Sequence, residues 1–94
     1  MPLTNLERTL RGVARQRMES GDLPCEMPAI VWGGKGEGKP CSLCAKPIGS
    51  DELEFEYLHE GREFRFHRLC HGLWQLECER QRVLNATNSV TART

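Results

Sequence analysis

The chain lacks a net charge, a long apolar run and a large store of aromatic side chains. Thirteen Lys and Arg balance thirteen Asp and Glu, which argues against a general polyanion binder. No apolar stretch approaches the roughly 20 residues of a membrane-spanning helix. The first twenty residues are rich in arginine and have no apolar segment of the kind an export signal needs, so the expected location is the cytoplasm. Three Phe, two Trp and one Tyr supply only a thin core. Ninety-four residues allow one domain with flexible ends. A domain of this size with so little to bury usually needs a staple, and a metal ion is one. Cysteine is present five times, an odd count. Without an export signal, reduced thiols that bind metal are expected rather than disulfides.

Two short clusters fit that expectation. Cys41-Ser-Leu-Cys44 and His67-Arg-Leu-Cys70 are separated by a spacer from Ala45 to Phe66. A Cys-x2-Cys turn presents both sulfurs to one ion, and a His-x2-Cys pair can complete a tetrahedron. Zinc favours such a set of thiolate and imidazole ligands, and structural zinc sites leave no position open. One zinc ion bound by Cys41, Cys44, His67 and Cys70 is the expected cofactor. Three thiolates and a divalent cation together make the chain about one charge unit more negative. His71 is the alternative to His67, but residues i and i+3 share a helix face whereas adjacent residues diverge. His59, beside a turn, reads as solvated. Cys25 and Cys78 have no Cys-x2-Cys partner and read as buried free thiols; a second metal site or a redox pair is the alternative use.

Periodicity divides the rest. Residues 1–22 form an amphipathic helical segment, with the helix itself over 3–19. Thr4 and Glu7 make a capping box, and Gly21 supplies the stop. Leu6, Leu10 and Val13 share its apolar face, with Arg8, Arg11 and Arg15 opposite. Residues 23–40 read as an irregular Gly-rich linker, with one short strand at Ala29-Ile-Val-Trp32. Gly33-Gly-Lys-Gly-Glu-Gly-Lys39 matches the opening of a phosphate-binding loop. Pro40 then stands where a Ser or Thr would hold magnesium. Residues 41–84 form the zinc-binding unit. Within it, Leu53, Phe55 and Tyr57 alternate with glutamates, and Phe64 and Phe66 alternate with Glu63 and Arg65. A two-residue turn at Glu60-Gly61 pairs Tyr57 with Phe64, Phe55 with Phe66 and Glu56 with Arg65. The aromatics read as core rather than as a base-stacking platform. A helix follows over 68–84, with Leu69, Leu73, Leu76 and Val83 in one stripe. Trp74 lies beside that stripe, a turn beyond Cys70, and Arg68, Glu79 and Arg82 face water. Residues 85–94 lack periodicity and read as a disordered tail.

The order of zinc turn, β-hairpin and helix with His67 and Cys70 at its start resembles the treble-clef zinc fold. The ligand order Cys, Cys, His, Cys is similar to the first zinc module of a LIM domain. The resemblance covers roughly residues 39–80. It implies an α+β fold in which Cys41 and Cys44 come from a knuckle and His67 and Cys70 from the start of the helix. A LIM domain carries a second zinc module directly afterwards. Here no second Cys-x2-Cys follows, so only the single-site fold is implied.

Four ligands close the coordination sphere, and no Glu is placed as in deaminases or metalloproteases, so no enzyme activity is expected. The function expected is a non-catalytic module that binds another protein, with no membrane role. The alternative is a nucleic-acid-binding zinc finger using Arg8, Arg11 and Arg15 with Lys35, Lys39 and Lys46. Glu52, Glu54, Glu56, Glu60 and Glu63 on the hairpin would repel phosphate. The sequence leaves the oligomeric state open.

Overall fold

A computed structural model describes residues 4–26 and 31–92. Among these, two helices and one three-stranded antiparallel sheet form a small α+β unit. Chain order is α1 (Asn5–Ser20), β1 (Trp32–Lys35), β2 (Leu53–His59), β3 (Arg62–His67) and α2 (Arg68–Ala92). The sheet order is β1-β2-β3.

Helix α1 begins and ends where its capping residues dictate. The Thr4 hydroxyl accepts from the Glu7 amide at 3.1 Å, and the Thr4 amide donates to the Glu7 carboxylate at 3.2 Å. Gly21 closes the helix in the left-handed region, at φ 86°, where a residue without Cβ is favoured. The buried face overlaps the expected one at Leu10 and Val13 but is rotated away from Leu6. Ala14 and Met18 are buried, Leu10 and Val13 are partly covered, and Leu6 is 57% exposed. A charge cluster joins the helix to α2. The Arg11 guanidinium donates to Glu77 on α2 at 2.8 Å, and Arg15 donates to the same carboxylate at 3.3 Å. Arg11 and Arg15 therefore belong to the helix–helix interface rather than to a face opposite the buried one.

The β2–β3 hairpin has the register read from its alternation. Tyr57 pairs with Phe64, Phe55 with Phe66 and Glu56 with Arg65. Glu60 and Gly61 both take positive φ, 51° and 79°, as a two-residue turn matched to strand twist demands. On the other edge of β2 lies β1, pairing Trp32 with Glu56 and Gly34 with Glu54. The strand expected over residues 29–32 is thus displaced into the glycine run, while Ala29 and Ile30 lie outside the described residues. Pairing to β2 makes a strand of a segment whose composition alone reads as loop.

Tyr57, Phe66 and Trp74 stack in the core. Trp74 lies 5.2 Å from the Tyr57 ring centroid and 5.0 Å from that of Phe66. The Trp74 indole N–H donates to the Pro24 carbonyl at 2.9 Å, pinning the chain after α1 onto α2. Arg62 donates to the carbonyls of Gly21 and Asp22 at 3.0 and 2.9 Å, so the hairpin also holds the end of α1. Tyr57, Phe64 and Phe66 are core, whereas Phe55 is only half-buried, Leu53 is exposed and Glu54 is buried, so the expected alternation holds only in part.

Helix α2 buries Cys70, Leu73, Trp74, Glu77 and Cys78. Leu69, Leu76 and Val83, assigned to the buried stripe from sequence, are 46%, 48% and 50% exposed. Drawing Cys70 inward brings Trp74 and Cys78 to the sheet, because residues four apart stack on one face, and it leaves the leucine stripe at the margin. The helix also continues to Ala92, through the segment read as a tail. No Gly or Pro follows Gly72 to interrupt it.

Candidate metal centre

The first half of the site is a tight knuckle. The Ala45 amide donates to the Cys41 carbonyl at 3.0 Å, and the Cys41 amide donates to the Lys46 carbonyl at 2.9 Å. Ala45 accordingly sits at φ 67°. Pro40 and Pro47 close the knuckle with an isolated bridge. The Leu43 amide points back at the Cys41 sulfur, 3.4 Å away, and can spread thiolate charge. Ser42 clips the knuckle to β3. Its amide donates to the Arg65 carbonyl at 2.6 Å, and its hydroxyl accepts from the Arg65 amide at 3.0 Å. Leu43 and Ile48 are fully buried beneath the turn.

The second half comes from the junction of β3 and α2. His67 is the last residue of the strand, and Cys70 lies in the first turn of the helix. The unpaired amides of that turn carry partial positive charge, which favours a thiolate. The His67 Nδ1 atom lies 3.4 Å from the Cys44 sulfur and 4.0 Å from the Cys70 sulfur. Its Nε2 side lies 3.2 Å from the Pro47 carbonyl and 3.6 Å from the Glu52 carboxylate. The tautomer with Nε2–H donating to Pro47 leaves the Nδ1 lone pair facing the sulfurs. Such a partner fixes both ring orientation and tautomer in metal-ligating histidines.

The ligand atoms of Cys41, Cys44, His67 and Cys70 all lie within 4.8 Å of one another. The four expected residues thus form one zinc-finger-like cluster that could hold a single metal ion. Its protonation shows why a cation fits. A hydrogen bond from the Cys70 thiol holds the Cys41 pKa well below the usual thiol value, against the opposing effect of burial. The same bond pushes Cys70 strongly up, and burial adds to it. Burial also raises Cys44. Crowded sulfurs share protons because they cannot all be anionic together. A divalent cation among them would allow all three to ionise and would release protons.

The other candidates fall elsewhere. His71 leaves the cluster and stacks on Phe55, with ring centroids 4.8 Å apart. Burial lowers its pKa. His59 lies beside Glu60, 4.0 Å away. Cys78 is a buried thiol as expected, but Cys25 is exposed. Lys39 pairs with Glu37 at 3.6 Å, and no helix opens after it. Three contributors escaped the sequence reading. Glu77 is a fully buried acid, signalled only by its place seven residues after Cys70. Pro47 and Glu52 support His67, and no spacing rule points to them.

A groove of about 350 Å³ adjoins the cluster. Leu6, Leu10 and Leu69 line it together with Cys44, His67 and Cys70 and the charged Lys46 and Glu52. No protein-family model, curated protein or solved structure matches the chain.

Proposed function

We propose that the chain is a non-catalytic binding module built around one structural zinc ion, with another protein as its partner. The observation that carries this is the convergence of four donor atoms from two separately braced segments. Zinc bonds of about 2.3 Å to sulfur and 2.0–2.1 Å to nitrogen imply tetrahedral edges of roughly 3.5–3.8 Å. The 3.4 and 4.0 Å separations around His67 Nδ1 bracket that range. Three sulfurs and one imidazole suit zinc over magnesium or calcium, which prefer oxygen. Knuckle, β2–β3 hairpin and ligand-bearing α2 follow one another as in a treble clef, with α1 and β1 as additions. Four protein ligands leave no position for a reacting water, which supports a structural rather than catalytic ion. Reduced thiol ligands suit the cytoplasm.

The groove beside the cluster supports a protein partner. Leu6 and Leu69 line it and are 57% and 46% exposed. Arg11 and Arg15, the centre of any phosphate-binding stripe, are instead engaged by Glu77. Native mass spectrometry should find one zinc per chain. Cys41→Ser should abolish high-affinity binding, and Cys25→Ser should leave it intact. A folded chain with no metal would overturn the zinc assignment. Salt-sensitive binding to a random DNA duplex with a steep slope would replace the protein partner with nucleic acid.

A further inference from the structure

Two thiols outside the cluster, Cys25 and Cys78, line a common cleft of about 470 Å³ with Glu26, Glu79 and Arg82. The Cys78 thiol donates to the Pro24 carbonyl at 3.8 Å. That carbonyl belongs to the peptide bond joining Pro24 to Cys25, which places the Cys78 sulfur within about 7 Å of the Cys25 Cα by standard backbone dimensions. The Trp74 indole grips the same carbonyl at 2.9 Å, so this stretch of chain is tied to the helix face that carries Cys78. A disulfide needs the two Cα atoms about 4.4–6.8 Å apart, so exposed Cys25 has to rotate and shift toward Cys78 to form one.

We propose that Cys25 and Cys78 form an oxidation site, separate from the metal centre, in which a neutral hydroperoxide converts the two thiols into an intramolecular disulfide. The two residues divide the work by exposure. Cys25 is open to solvent, whereas Cys78 is 3% exposed. Burial, aided by the nearby Cys25 charge, pushes Cys78 up to about 12, so it remains a thiol while Cys25 meets the oxidant. Glu26 and Glu79 outnumber Arg82 in the cleft. Their charge disfavours anionic oxidants such as glutathione disulfide and leaves hydroperoxides as the fitting class.

The chemistry balances. The Cys25 thiolate attacks one peroxide oxygen and the O–O bond breaks. The departing oxygen takes a proton and leaves as water or an alcohol, and Cys25 becomes a sulfenic acid. The Cys78 sulfur then displaces the hydroxyl group, which leaves as water with the Cys78 proton. Two thiols lose two electrons and the peroxide gains them. The new bond joins the chain after α1 to α2. It closes a loop that contains Cys41, Cys44, His67 and Cys70.

The test is limited oxidation of the zinc-loaded full chain with hydrogen peroxide, followed by differential alkylation and peptide mapping. The expected product is a Cys25–Cys78 crosslink that appears before any modification of Cys41, Cys44 or Cys70. Cys25→Ser, at an exposed position, should keep the native circular dichroism spectrum and lose the crosslink. The proposal is overturned if Cys25 ends as a sulfinic acid or an intermolecular dimer with Cys78 still free. It is equally overturned if a cluster cysteine reacts first, or if a crosslink persists in Cys25→Ser. Peptide mapping reads the crosslink whatever ion is bound, so its failure and that of the zinc assignment are separate results.

Discussion

Glu77 has 0% exposure and lies within 4.0 Å of three arginines. Arg11 and Arg15 reach it from α1 at 2.8 and 3.3 Å, and Arg80 reaches it from its own helix at 3.9 Å. The energetic consequence is asymmetric. The arginines are partly exposed, 27% for Arg11 and 41% for Arg15, and can regain water if the acid is neutralised. Glu77 cannot. Removing Arg11 and Arg15 together leaves a buried charge with one distant partner, at a cost of about 3 kcal/mol. Glu77→Gln keeps hydrogen-bonding atoms in place and should cost about 1–2 kcal/mol. Urea unfolding at fixed free zinc should therefore rank the Arg11→Ala, Arg15→Ala double variant below Glu77→Gln. The reverse order would mean that the carboxylate is hydrated and the cluster ornamental.

At the scale of elements, the glycine run after Trp32 contains positions of opposite character. Gly34 is in β1, and a Cβ there would meet nothing within 4 Å. Gly36 passes over the backbone just after the knuckle, and a Cβ would lie 2.3 Å from the Gly49 carbonyl oxygen and 2.4 Å from that of Ile48. Backbone cannot swing aside as a side-chain tip can. The same contact holds the Gly36 amide on the Glu52 carbonyl at 3.0 Å, and Glu52 supports His67. Gly36→Ala should thus destabilise by about 2–3 kcal/mol and weaken metal affinity. Gly34→Ala should change stability by less than about 1 kcal/mol. Thermal melts with and without a competing chelator separate the two effects. Equal behaviour of the two variants would show that β1 does not brace the site.

The described structure measures 52 × 33 × 22 Å, with a radius of gyration of 14.4 Å. A compact chain of this length would have a radius of about 12.4 Å. The long α2, in which Cys78 is the last buried residue among those described, contributes to this elongation. What remains is a core with a single stacked group of large aromatics above the knuckle. Structural zinc in small fingers contributes roughly 10 kcal/mol or more, comparable with the whole stability of a typical domain, roughly 5–15 kcal/mol. Chelation should therefore collapse the amide dispersion of Phe55, Phe64 and Leu73, and zinc should restore it. Unchanged spectra after verified metal removal would show that the stacked core suffices alone.

Residue order alone is enough for what short-range chemistry can encode. The Thr4–Glu7 cap and the Gly21 stop depend on residues a turn apart. The register of β2 against β3 follows from a two-residue turn and a period of two. The four cluster residues were legible because ligand spacing is set by local turn geometry and by one helical turn. Packing between distant segments selects which faces are buried and which side chains brace the site. Leu69 and Leu76 have the right spacing for a core stripe, but Cys70 must turn inward, and a helix cannot present both faces to one sheet. Arg11 and Arg15 look solvated until Glu77 arrives from a helix more than sixty residues away. A glycine run becomes a strand once β2 offers it an edge, and Pro47 and Glu52 matter only because folding sets them beside His67. Such choices depend on contacts between distant segments, which local periodicity does not record.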